Sequence, residues 1–341
     1  MEANLIQIKD LGAQLDGHPA IEITISNAQA TVTLFSFGAT LQSFKIDHPG
    51  FEKRDVVLGY SDLGSYKQLF EQNQSAYFGA IVGPIAGRVT EATIPWKGAI
   101  FEFEPNVGKH LLHGGKRNFS NVNWQLLSYE EKPYPSVTLC VETKRASIEL
   151  PGNLRCEVSF TLKESELQIT IKSIALNDTI ANPTQHSYFN PYGHNGSILD
   201  CEIKMEANSF LELDQNKIPT GKSISPPDLS QNQSIHINQL AFFPEIDHAF
   251  LLTNRKQQVI LRAPDGFQLS FQTNQPYMQV YIGGESLVLG KENVAYHSHS
   301  GICLEQQAEP NAPNQENFSD IYLEKGQQKT NYLLIDFQQN A

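Results

Sequence analysis

Cysteine is scarce, with four residues in 341, and no two of them form a C-x-x-C pair. Cys140, Cys156, Cys201 and Cys303 lie too far apart for the close spacing of a zinc or thiol-redox motif. Three sit in strand-like "VTLCVET", "LRCEVSF" and "GICLE", and they read as buried free thiols of a reducing compartment. Basic charge is also short. Lys and Arg number 25 against 37 Asp and Glu, for a net charge of −12. Such a surface repels phosphate backbones and anionic lipids, so neither nucleic acid nor a membrane is an expected partner. No apolar run approaches the roughly 18 residues needed to cross a bilayer. "MEANLIQIKD" has no basic segment followed by an apolar stretch, so a cytoplasmic protein is expected. Helical periodicity is nearly absent, and only "SDLGSYKQLFEQN" (61–73) suggests a short helix. There is no strand–glycine loop–helix phosphate motif, no heptad and no internal repeat.

What the chain has is period-two alternation from end to end. "AIEITIS" sets Ile21, Ile23 and Ile25 on one face, and "ELQITIK" sets Leu167, Ile169 and Ile171 against Gln168, Thr170 and Lys172. "CEVSFTLKESELQITIK" predicts a tight hairpin, residues 249–283 a four-strand meander, and the polar stretch 223–239 a long surface loop. No linker divides the chain, so one large all-β antiparallel domain over residues 1–341 is expected.

Five stretches carry chemistry. In "GPIAGRVT", Arg88 follows two glycines and offers several donors to an oxygen-rich ligand, although a loop-end arginine also reads as structural. In "KHLLHGGKRNF", His113 precedes paired glycines, where something packs close to the main chain. His110 would pair with it on a metal, but a third ligand is lacking. In "NPTQHSYFNPYG", His186 alternates with Tyr188 on an extended segment, with Ser187 and Phe189 opposite. It fits a satisfied core histidine, and it also fits a group that gives and takes protons near neutrality. In "PEIDHAFLL", Asp247 starts a strand and would accept from hydroxyls. In "GICLEQQAEPNAPN", Glu305 stands at a strand end before amides Gln306 and Gln307, where a general base or a surface glutamate fits equally. "TNQPYMQVYIGG" adds Gln279, Tyr277 and Tyr281, suited to sugars, while "YHSHSG" places His297 and His299 on one face if extended.

Together, "AGRV", "LHGG", "QHSYFN", "IDHAFLL", "TNQPYMQVY" and "LEQQ…PNAPN" occur in the order they have in the aldose 1-epimerase family, which the chain resembles from about residue 20 onward. The resemblance implies a β-sandwich with an open cleft, and reversible exchange of the α and β anomers of free hexoses without cofactor or metal. It implies His186 as general acid and Glu305 as general base, with Arg88, His113 and Asp247 holding the sugar, and Gln279 joins them as a substrate-binding candidate from its own chemistry. The ligand would be a small sugar and the protein a monomer or homodimer. Disaccharides and phosphorylated hexoses remain alternative substrates, the latter calling on Lys116 and Arg117. A non-catalytic sugar-binding module and a glycoside hydrolase remain too. Pro84, Gly87, His110 and Pro191 depart from the usual family residues and flank the ring-holding groups.

Overall fold

Alternation in the sequence becomes antiparallel pairing. In Leu154–Lys163 and Glu166–Ala175 every second residue is buried, and the strands pair as the expected tight hairpin, Lys163 opposite Glu166. The structure, a computed structural model, describes residues 5–72, 74–194, 196–225, 234–240, 246–253, 259–283 and 288–337.

Three large antiparallel sheets dominate the described residues. The first has five strands, in chain order from Ile6–Leu15 to Arg54–Asp55. The second has nine, with Glu166–Ala175 and Gln328–Asp336 side by side near its centre. The third has six, in the order Tyr188–Phe189, Ile302–Gln307, Tyr277–Ile282, Asp247–Leu252, Ala207–Leu213 and Pro219–Ile224. One contiguous apolar core draws on all three, including Ile23 and Phe44, Val158 and Ile169, and Met278 and Leu304. The expected helix is Leu63–Glu71, started by Asp62, whose carboxylate accepts from the Ser65 N–H at 2.9 Å. All four cysteines are free thiols, and three of them are buried.

Two expectations need correction. Residues 249–283 do supply four strands, but not a meander. Asp247–Leu252 pairs with Tyr277–Ile282, while Val259–Arg262 and Gln268–Thr273 belong to the nine-stranded sheet. Alternation marks a strand and its buried face, and partner choice is settled by contacts distant in sequence. The stretch 223–239 is not loop at its ends. Pro219–Ile224 pairs with Ala207–Leu213, and Ile235–His236 pairs with Glu202–Met205; residues 226–233 lie outside the described residues.

The segment 288–301 forms part of the wall of the main cavity, and a buried ion pair fixes it. Lys291 Nζ lies 2.8 Å from Asp55 Oδ2, with side chains 6% and 7% exposed. Asp55 also accepts from Ser43 Oγ at 2.7 Å and the Phe44 N–H at 2.9 Å. Burial alone would raise the Asp55 carboxyl, but His194 and the Lys291 ammonium outweigh it and hold it well below the ordinary carboxylate range. Lys291→Met leaves that carboxylate charged and buried. Urea denaturation should show a loss of about 3–5 kcal/mol. In the wild type, Asp55 stabilises the fold at pH above its unfolded value of about 4, and this contribution fades as pH falls toward the depressed folded value. An unchanged urea midpoint for Lys291→Met would show that the pair does not anchor the segment.

Candidate active site

Backbone packing sets the first two side chains. Arg88–Val89 pairs with Leu111–Leu112, so Arg88 and His113 emerge together. A Cβ on Gly114 would stand 2.5 Å from the Gly83 carbonyl oxygen, and one on Gly87 would stand 2.8 Å from the Pro310 ring. Both glycines also adopt positive φ, so no other residue fits well. His113 is clamped onto Gly87: its N–H donates to the Gly87 carbonyl at 3.0 Å, and the Gly87 N–H donates to His113 Nδ1 at 3.2 Å. That leaves the ring proton on Nε2. Burial holds His113 well below the ordinary histidine range, with His186 and Arg88 adding to it, so the ring is a neutral donor.

His186 stands between the short strands Thr184–Gln185 and Tyr188–Phe189. Its N–H donates to Ala80 O at 2.9 Å, and its carbonyl accepts from the Gly79 N–H at 3.0 Å. His186 and Tyr188 face the cavity while Ser187 and Phe189 are wholly buried, as alternation predicts. Asp247 begins Asp247–Leu252, also as expected. Glu305 does not end its strand. It is interior to Ile302–Gln307, opposite Gln279, because Gln306 and Gln307 continue the pairing with Met278 and Tyr277.

All six expected residues line one cavity of about 420 Å³. His186 Nε2 lies 3.6 Å from Glu305 Oε1, with side chains 5% and 4% exposed. Arg88 Nη1 donates to Asp247 Oδ2 at 3.2 Å, and Gln279 Nε2 donates to Asp247 Oδ1 at 2.8 Å. The His113 and His186 rings are nearly perpendicular, with centroids 5.3 Å apart. Burial pushes Glu305 well above the ordinary carboxylate range, with Asp247 adding, and pulls His186 down to about 4.

Other candidates fall away. His110 Nδ1 accepts from the Glu91 N–H at 3.1 Å and is not paired with His113. His299 has φ of 64°, which breaks the extended geometry that would align it with His297. Lys116 pairs with Glu104 and Arg117 with Asp16, away from the cavity. Tyr281 lines the cavity, but Tyr277 packs with Leu211 and Ala249. Among the described residues, His186, Cys303 and Glu305 form the one group of three metal-type donor atoms within 4.8 Å of one another. Burial holds the Cys303 thiol well above its ordinary range.

Two cavity residues, Tyr77 and Lys217, and a buried neighbour of His186, Cys303, escaped sequence reasoning. The Tyr77 ring lies 4.9 Å from His113 and 5.7 Å from His186. Lys217 Nζ lies 3.8 Å from Asp247 Oδ2. Cys303 Sγ lies 3.7 Å from His186 Nδ1. Only Cys303 had a legible signal, since period two puts it on the same strand face as Glu305. Tyr77 and Lys217 reach the cavity through turns with positive φ (58° and 59°), which no local pattern announces.

Comparison with known proteins identifies the family. The sequence model of aldose 1-epimerase matches residues 22–336. A galactose mutarotase of Sus scrofa is 32% identical over 328 residues, covering 89% of this chain and 90% of its own. A maltose epimerase of Levilactobacillus brevis is 26% identical, covering 94% and 95%. The crystal structure of an aldose epimerase homologue from C. elegans superposes with a TM-score of 0.85 at 24% identity, covering 94% of this chain and 99% of that one; at that identity the likeness carries the fold alone. The match over almost the whole chain and the identity to the mutarotases lead to one conclusion: this chain belongs to the aldose 1-epimerase family.

Proposed function

We propose that the chain is a mutarotase that interconverts the α and β anomers of free hexoses such as galactose and glucose, acting as one domain over residues 1–341. The observation that carries this reading is a pair of titratable side chains, His186 and Glu305, 3.6 Å apart and buried in the same cavity as Arg88, Asp247 and Gln279. Ring opening removes the proton from the C1 hydroxyl and delivers one to the ring oxygen. Glu305 as carboxylate takes the first, and His186 as imidazolium gives the second. The C1–O5 electron pair passes to the ring oxygen while the C1 carbonyl forms. After rotation about C1–C2, closure runs the steps in reverse and restores both groups. The two must first hold the shared proton on His186, and sugar hydroxyls entering the site favour that charged arrangement by hydrogen bonding to the carboxylate. His113 is a poor acid in this scheme, because protonating Nδ1 would break its bond from the Gly87 N–H.

A glycoside hydrolase would use a second carboxylate as acid or nucleophile. Asp247 is committed instead to Arg88, Lys217 and Gln279. A phosphorylated hexose fits less well, since Lys116 and Arg117 are engaged elsewhere. Saturation transfer between the α and β anomeric proton signals, with galactose, glucose and maltose in turn, tests activity and ranks substrates. Absence of transfer for every sugar at catalytic protein concentrations would end the reading.

Arg88 holds hydroxyls in ground and transition states alike, both directly and through Asp247. Arg88→Ala should raise KM about ten- to a hundredfold, as expected for a charged hydrogen bond, and reduce turnover as well. Steady-state kinetics with both constants unchanged would remove Arg88 from the sugar-holding set.

A further inference from the structure

Adjacent glutamines on one strand are treated differently. Gln306 faces inward and is satisfied by protein: Thr184 Oγ1 donates to its Oε1 at 3.5 Å, and its Nε2 donates to Asn331 Oδ1 at 3.4 Å. Gln307 is wholly buried, lines the cavity, and has no hydrogen-bond partner at either Oε1 or Nε2. A buried amide with both groups unmet is costly, and folded proteins leave few of them. Gln279 is half unmet in the same place. Its Nε2 is tied to Asp247, while its Oε1 is buried and without a partner.

The register explains how they meet. Gln279 stands opposite Glu305, and Gln307 lies two residues further along on the same face as Glu305. Gln279 and Gln307 are therefore diagonal neighbours across the strand pair, within reach of long side chains. Together they present two acceptors and one donor. Adjacent ring hydroxyls, each both donor and acceptor, meet this set; an apolar ligand does not. Two residues of strand span about 7 Å, comparable to the width of a pyranose ring. A sugar with its C1 hydroxyl at Glu305 thus brings hydroxyls from its far edge to Gln307.

We propose that Gln307 is a sugar-binding and specificity-determining residue, whose amide reads a pair of ring hydroxyls remote from C1. The inference rests on the reading of the cavity as a hexose site with Glu305 at C1. It is tested with Gln307→Met, which keeps the length of the side chain and removes both polar groups. Calorimetry with galactose should show affinity about ten- to a hundredfold weaker, with KM raised to match and kcat less affected. A series of monodeoxygalactoses locates the hydroxyls. At least one deoxy sugar should lose affinity in the wild type and lose little more in Gln307→Met. The melting temperature of the sugar-free variant should be unchanged or higher, since no protein partner is lost. Unaltered galactose affinity would overturn the proposal, as would deoxy-sugar discrimination identical to the wild type. A lowered melting temperature without loss of affinity would overturn it too, by assigning Gln307 a structural role. Gln307→Leu serves if the methionine variant does not fold. Wild-type protein that binds galactose without accelerating anomer exchange would sink the mutarotase reading while leaving the Gln307 binding test intact.

Discussion

Glu305→Gln should lose about 10²- to 10⁴-fold in kcat while binding galactose nearly as well as the wild type. The amide keeps the shape of the carboxylate and its place opposite Gln279, but it cannot accept the C1 proton. The proposed sugar-holding groups Arg88, Asp247 and Gln279 are untouched, so calorimetry should report little change in affinity. The pH dependence should change as well. The working pair holds one proton in total, so the wild-type rate should follow a bell whose limbs belong to the pair and not to either residue. With Glu305 gone, the acid limb disappears. Burial pulls His186 down to about 4, so the residual rate should fall as pH rises through the value of the lone imidazole. Near-wild-type kcat would show that this carboxylate does not carry the proton.

His186→Asn should cause a loss of similar order, about 10²- to 10⁴-fold in kcat, again with affinity largely kept. Asparagine offers a hydrogen bond to the ring oxygen but no proton to transfer. Here the alkaline limb should disappear. Burial pushes Glu305 well above the ordinary carboxylate range, so the residual rate should rise with pH as that carboxyl ionises. The opposite pH trends of the two variants make the assignment of roles testable. If both residual rates moved the same way with pH, acid and base would not be divided between these residues. Full activity in His186→Asn would move the acid to another donor, with His113 the next to test, 5.3 Å away.

The strands were legible because alternation is a local property. Every second residue of Leu154–Lys163 and Glu166–Ala175 is buried where the pattern says it should be. Partner choice was not legible, and Asp247–Leu252 joins Tyr277–Ile282 over two intervening strands that belong to another sheet. The site followed the same division. His186 and Tyr188 could be placed on one face from spacing alone, but nothing local brought Glu305 within 3.6 Å of His186. That proximity comes from Tyr188–Phe189 pairing with Ile302–Gln307, across more than a hundred residues of chain. The order of motifs had suggested it by resemblance, without a physical reason. Lys217 was illegible for another cause: it enters the cavity from a turn between Ala207–Leu213 and Pro219–Ile224, where polar residues are ordinary.

The central claim is that the protein accelerates anomer exchange through the His186–Glu305 pair. Polarimetry of freshly dissolved α-D-galactose addresses it most directly, with wild type, Glu305→Gln and His186→Asn compared at equal concentration. The account predicts that the wild type brings the rotation to equilibrium far faster than buffer, while each variant lags by about two orders of magnitude or more. A wild-type trace that overlays buffer, or variant traces that overlay the wild type, would contradict it.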